Sequence, residues 1–212
     1  MLIIFVLVKI INIYKRGFYM VKNVIQEERM KNYFIDSARQ IIKGEGIKAL
    51  SVRTVAERAG YSYATLYNYF ENLRELILVC VEGFLKEAEE FIENNAVQSK
   101  NGIKGIESKS IAFSNFFIQY PDIFTLIFLE EVSDISNDKM IEKINTFFNH
   151  IFKEEWEKCF IDKSVNHSKI DELILLHKNM LIGILIWYIN RRTPKEYSDF
   201  IKLLKKNINA IF

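Results

Sequence analysis

ALSVRTVAERAGYSYATLYNYFENLREL, residues 49–76, carries the punctuation from which the rest of the chain can be read. Ser51 stands before VRTVAERAG as an N-cap, because its hydroxyl can accept from a free amide of the first turn, and Gly60 ends the run as an αL stop. A helix of about eight residues follows. Ser62 can cap a third helix, Tyr63 to Tyr69, leaving about three residues between the two, the length of a helix-turn-helix linker. Val52, Val55, Ala56, Ala59 and Leu66 then face inward, while Tyr63, Thr65 and Asn68 face outward.

Upstream, Ile25, Met30, Phe34, Ala38, Ile41 and Ile42 recur at helical spacing, so residues 24–43 form a first helix stopped by Gly44 and Gly46. Downstream, Asn72 caps a long amphipathic helix from Leu73 to about Asn94, which links two domains. Residues 94–109, with Gly102, Gly105, Asn95, Asn101 and Ser99, read as loop. Helical patterning returns over 110–132, broken at Tyr120-Pro121-Asp122, and again over 138–160. Ile170 to Ile189 reads as a buried helix, not a membrane span, because His177, Lys178 and Asn179 interrupt it. Thr193-Pro194-Lys195-Glu196 reads as a capping box that starts a final helix, Lys195 to Phe212.

The whole is predicted to be all-α: an N-terminal three-helix domain over 20–75 and a second helical domain over 76–212. Two prolines and 8 glycines in 212 residues leave little punctuation for strands, and 50% apolar residues exclude disorder. Residues 1–19 open with MLIIFVLVKIINI, too short for a spanning helix and lacking the charge order of a signal peptide. They read as an extension upstream of a start at Met20, as an extra packed helix, or as a membrane contact. Cys80 and Cys159 have no metal or disulfide spacing, which suits a reducing, cytoplasmic compartment and buried thiols. His150, His167 and His177 lack partners at metal spacing and read as surface or capping residues. No nucleophile–base arrangement, paired carboxylates or phosphate-binding glycine loop appears, so neither an enzyme nor a cofactor or metal is expected.

With these features in place, residues 49–76 resemble the DNA-binding segment of the TetR family of transcriptional regulators, a likeness that extends over roughly Ile25 to Val81. The Gly44/Gly46 turn, the Ser51 cap, Ala56, Ala59-Gly60, Thr65-Leu66-Tyr67 and Phe70 match the family pattern. At the start of the fourth helix, where the family usually has Lys, this chain has Leu73, with Arg74 next to it. The resemblance implies that Ser62 to Tyr69 is a recognition helix in the major groove of double-stranded DNA. Residue chemistry agrees: Tyr63 and Thr65 suit base edges, Asn68 points outward with a hydrogen-bonding tip, Ser51, Tyr67 and Tyr69 suit phosphates, and Lys48, Arg53, Arg58 and Arg74 bring charge. Tyr61, and alternatively Tyr67 and Tyr69, read as half-buried aromatics packed between helices. Charge is weakly polarised, +2 over residues 21–75 and −3 over 76–212, so few phosphate contacts are expected.

The same resemblance implies a variable second domain that binds a small effector and dimerises through its last two helices. Leu173, Leu176, Met180, Gly183, Ile184, Trp187 and Tyr188, with Phe200, Leu203, Leu204, Ile208 and Ile211, are more apolar than one helix side needs and suit a homodimeric four-helix bundle. Phe113, Phe116, Phe117, Tyr120, Phe124 and Phe128, with Phe147, Phe148, Trp156 and Trp187, form an effector-pocket candidate or plain core; few charges there favour an apolar or aromatic effector. The expected function is a ligand-responsive repressor; the alternative is a helical dimeric ligand- or protein-binding module that has lost DNA binding.

Overall fold

The computed structural model describes residues 25–99, 101–130, 137–160 and 167–211. The readings of residues 1–19 and of the His167 side chain fall outside that description. Described residues form helices and no strands. They are α1 (25–45), α2 (Val52–Ala59), α3 (Tyr63–Leu66), α4 (Leu73–Asn95), α5 (Gly102–Gln119), α6 (Pro121–Phe128), α7 (Asn137–Lys158), α8 (His167–Ile189) and α9 (Tyr197–Asn209). Helix α1 buries Phe34, Ala38, Ile41 and Ile42, as its spacing predicts, against Val55, Leu66, Phe70 and the first half of α4. Helix α5 runs through the second half of the molecule and packs against α4, α6, α7, α8 and α9.

The starts of α5 and α9 depart from the sequence reading. Helix α5 begins at Gly102, inside the stretch expected to be loop, because Asn101 caps it by accepting from the Lys104 amide at 3.2 Å. Gly102 and Gly105 are there for packing, since they let α5 lie directly against Glu155 of α7 and Cys159 just past its end. A Cβ on Gly102 would fall 2.5 Å from both the Glu155 carbonyl oxygen and Cys159 Sγ. Helix α9 begins two residues later than expected, with Glu196 as its N-cap and no side-chain cap bond. Burial of Phe200 against Tyr188, ring centroids 4.5 Å apart, outweighs the local capping pattern at Thr193–Glu196.

Expected interface residues divide between core and surface. Leu173, Phe200, Leu204 and Ile208 are buried within their own chain, so they are removed from the partner face. Leu176, Met180, Gly183, Ile184 and Trp187 remain at least partly exposed, on one helical stripe of α8, and Leu203 is half-exposed on α9. Helix α8 is therefore only partly buried in the single chain. By length and composition its segment Lys169–Ile189 would suffice to cross a membrane; in the fold, α8 packs on α5, α7 and α9.

Contacts between residues far apart in sequence join the N-terminal helices to the rest. Arg39 Nη2 and Lys43 Nζ of α1 bind the two carboxylate oxygens of Glu87 on α4, at 2.6 and 2.5 Å. Lys43 also lies over the Tyr120 ring, 4.7 Å from its centroid, and the Asp122 carboxylate sits against Gly46. Gly46 has a φ of 80°, and a Cβ there would come 3.0 Å from Asp122 Oδ1, so both backbone and neighbour favour glycine.

Candidate nucleic-acid interface

The interface is built on two short helices held by local hydrogen bonds. Ser51 Oγ accepts from the Thr54 amide at 3.1 Å, and Thr54 Oγ1 accepts from the Ser51 amide at 2.9 Å, a capping box with threonine at its third position. At the other end Gly60 takes φ 77° and ψ 26°, and the Tyr61 amide donates back to the Ala56 carbonyl at 2.9 Å. This sets the direction of α3. Ser62 caps α3 by accepting from the Thr65 amide at 3.2 Å.

The expected helix Tyr63–Tyr69 is regular only to Leu66. Residues 67–69 continue as a tighter turn, with Asn68 and Tyr69 amides donating to the carbonyls of Thr65 and Leu66 at 3.2 and 3.0 Å. Leu66 and Phe70, four apart, are both buried, and the Phe70 amide donates to the Leu66 carbonyl at 3.0 Å.

Outward from this frame stand Tyr63, 66% exposed, Tyr67, 52% exposed, and Asn68. These tips are available to a groove or a phosphate. Thr65 is half-buried, its hydroxyl 2.9 Å from Ser62 Oγ, so it offers a methyl more readily than a free hydroxyl. Tyr69 is half-buried, its ring 6.0 Å from that of Phe34, and Tyr61, 38% exposed, packs on Phe34 and Tyr33 at 5.7 and 6.3 Å.

The cations are less free than the sequence suggests. Arg53, 85% exposed, pairs with Glu57 at 2.8 Å, and Arg58 pairs with Glu45. Both pairs are solvent-exposed and cost little to exchange for a phosphate. Lys48 is exposed on the turn Ile47–Ala49, and Arg74 is exposed one residue into α4. Sequence reasoning missed Glu75. Its carboxylate accepts from the Glu71 amide at 2.7 Å while its own amide donates to Asn72 Oδ1 at 3.0 Å. An anion thus already lies at the N-terminus of α4, beside Leu73, which packs against the core instead of offering an ammonium. The pattern Asn72-x-x-Glu75 was a visible signal that a glutamate stands in the first turn, although its carboxylate accepts from Glu71, one residue before the N-cap.

In the second half, Phe113, Phe116, Phe117 and Phe124 are fully buried and pack with tilted or edge-to-face rings, at 4.7 Å for Phe113–Phe117 and 5.7 Å for Phe117–Phe124. Phe128 and Tyr120 close this cluster at its edges, 5.0 Å from Phe124 and 5.2 Å from Phe116. Trp156 is buried among Phe160 and His177, whereas Trp187 is 53% exposed on the α8 stripe and is no part of the cluster.

His177 is likewise corrected from surface to core: it is fully buried, with Nε2 2.9 Å from Ser110 Oγ. Because Ser110 Oγ donates to the Ile106 carbonyl at 2.7 Å, it must accept from His177, which places the imidazole proton on Nε2. Nδ1 is buried without a hydrogen-bond partner, and burial pushes the imidazole down to about 3. Burial raises the Cys80 thiol to about 12 and, with Glu155 nearby, Cys159 to about 11, so neither is a thiolate at neutral pH.

Residues 34–80 match the family described as bacterial regulatory proteins, tetR family. Among solved structures, the chain resembles a TetR transcriptional regulator from Rhodococcus sp. RHA1, with 13% identity, TM-score 0.63, and 88% of this chain and 97% of that one covered. A TerR/AcrR family transcriptional regulator from Aquifex aeolicus VF5 gives 19% identity, TM-score 0.60, and 86% and 99% coverage. A single-residue variant of TetR from Acinetobacter baumannii AYE, in complex with minocycline, gives 14% identity, TM-score 0.55, and 84% and 91% coverage. None of the curated proteins matches the chain. The likeness to solved structures carries the fold, and the family match carries the helix-turn-helix segment that α1 to α4 build. Residues 34–80 thus form a helix-turn-helix domain of the kind found in the tetR family of bacterial regulatory proteins, and the fold of the chain is similar to that of solved TetR-type regulators.

Proposed function

We propose that the protein represses transcription as a homodimer on a pseudo-palindromic operator and releases it when an apolar or aromatic small molecule binds the second domain. The observation that carries this reading is the exposed face of Tyr63, Tyr67 and Asn68 on a short helix whose direction Gly60 sets. Tyr63 and the Thr65 methyl address base edges; Ser51, Ser62, Tyr67, Lys48, Arg53 and Arg74 address the backbone. Partnering through the α8 stripe of Leu176, Met180, Gly183, Ile184 and Trp187 would cover its exposed apolar surface. It would also set two recognition helices about 34 Å apart, or a multiple of that.

The effector reading is supported by a cleft of about 1290 Å3 between α4 and α7, with Leu78, Val79, Leu85 and Phe147 among its lining. Phe147 connects it to the aromatic cluster, 6.2 Å from Phe113. Six glutamates at the cleft, against Lys86, Lys139, Lys143 and His150, work against a phosphorylated effector. The similar A. baumannii structure holds minocycline, a precedent for a small molecule in this fold. Helix α4 both starts in the DNA-binding domain and walls the cleft, so a ligand that parts α4 from α7 shifts the balance between two dimer geometries.

The test is a titration of the protein against DNA from its own upstream region at two salt concentrations. Saturable, salt-sensitive binding to one pseudo-palindrome supports the proposal. Binding at the non-specific level alone, to that DNA and to genome-wide selected fragments, refutes it.

A further inference from the structure

A second cleft, of about 620 Å3, opens where the α5–α6 corner meets the end of α8, and it is lined by Ile118, Pro121, Tyr188, Ile189, Arg191 and Lys195. Its volume is that of a small-molecule site. Four lining residues are apolar or aromatic, and the Tyr188 ring is backed by Phe200 at 4.5 Å. The two charged residues are both cations, no carboxylate lines the cleft, and neither Arg191 nor Lys195 has an ion-pair partner among the described residues. Arg191 is held at φ 52° by the closing turn of α8, where its amide donates to Tyr188 and that of Arg192 to Trp187, each at 2.9 Å.

An apolar floor beside two unpaired cations fits a molecule with one anionic head and a short apolar tail. The head is offered a guanidinium and an ammonium, and the tail removes Ile118, Pro121 and Ile189 from water. The position gives such a ligand a consequence. Pro121 is the first residue of α6 and lies between Tyr120, beneath the Lys43 ammonium of α1, and Asp122, against Gly46. Any displacement of Pro121 is therefore felt at two contacts with the DNA-binding domain.

We propose that this cleft binds a free anionic amphiphile, and that its occupancy alters the set of the DNA-binding domain through the start of α6. The second half rests on the regulator reading; the binding itself does not. The probe is decanoate below its aggregation concentration, titrated by calorimetry into the full chain, with decanol and decyltrimethylammonium as neutral and cationic counterparts.

Saturable binding of decanoate alone, weaker at high salt and reduced about tenfold or more in the Arg191→Gln/Lys195→Gln variant, is expected. An Ile118→Trp variant that fills the cleft should lose the site. Equal binding of all three probes, or decanoate binding unchanged in both variants, overturns the proposal. So does a cleft that takes no decanoate while the double variant weakens self-association in sedimentation, for a second copy would then be the occupant. Operator affinity is read separately: a decanoate-dependent change in the wild type, absent from the double variant, supports the coupling, and binding with no such change overturns it. Failure of the protein to bind any DNA would count against the regulator reading and leave the calorimetric result standing.

Discussion

Replacing His177 by Leu should change how stability depends on pH, with a magnitude that follows from burial. The native imidazole, fully buried between Ser110 and the rings of Phe152 and Trp156, is held down to about 3, against about 6.5 in an unfolded chain. A base depressed in this way takes up its proton first in the unfolded state. Its contribution is present above pH 6.5 and is lost as pH falls toward 3. Between pH 7 and pH 5 the linkage amounts to about 2 kcal/mol, from roughly 1.4 kcal/mol per pH unit below 6.5. With a urea m-value of about 2 kcal/mol/M, the wild-type midpoint should drop by about 1 M over that interval.

At pH 7 the substitution removes one hydrogen bond and one orphaned acceptor, Nδ1, while Ser110 keeps its bond to the Ile106 carbonyl. Those changes nearly offset, so the variant should lie within about 1 kcal/mol of wild type. At pH 5 it should be the more stable protein. Urea denaturation at pH 7, 6 and 5, at one fixed chain concentration, measures the difference directly. Parallel curves for the two proteins would refute the reasoning, because they would mean that His177 reaches water or a second partner in solution.

Gly102→Ala should destabilise by about 1–3 kcal/mol in thermal or urea unfolding, since its Cβ meets the Glu155 backbone at 2.5 Å and α5 or α7 must move. Gly183→Ala meets nothing within 4 Å in the single chain, so a gain of about 0.5–1 kcal/mol is expected for an unpartnered α8. Weakened self-association in sedimentation would instead place Gly183 at a dimer crossing. Tyr63→Ala and Thr65→Ala should alter operator preference in a binding selection, whereas Tyr67→Phe should weaken all DNA sequences alike. Leu73→Lys should raise DNA affinity several-fold and steepen the salt slope by about 1, at a cost of about 1 kcal/mol in stability, both readable by anisotropy and urea melts.

The parts of the interface legible beforehand are those set within a few residues of themselves. Ser51, Gly60, Ser62 and Asn72 act on backbone groups three or four positions away, so their roles can be read from residue type and spacing. Even here, local pattern failed where burial competed. The capping signal at Thr193–Glu196 yielded to Phe200, and glycines that look like loop at 102 and 105 begin a helix because α7 must come close.

Side-chain partnerships over long separations were not legible. The link from Arg39 and Lys43 to Glu87 spans 48 and 44 positions, and His177 meets Ser110 across 67. Nothing in either local stretch marks such a pair. Likewise the excess of apolar residues on the last two helices shows that more than one surface must be covered, without saying which residue covers which. Packing on α5 and α8 takes Phe200, Leu204 and Ile208 for the core and leaves Leu176, Ile184 and Trp187 on the outer stripe. By itself, then, the sequence determined an all-helical chain with a capped helix-turn-helix and an outward tyrosine face, because capping and helical periodicity are short-range. Tertiary structure alone decided which cations are paired, which histidine is dry and which apolar face stays open, because burial depends on neighbours that the chain brings together only on folding.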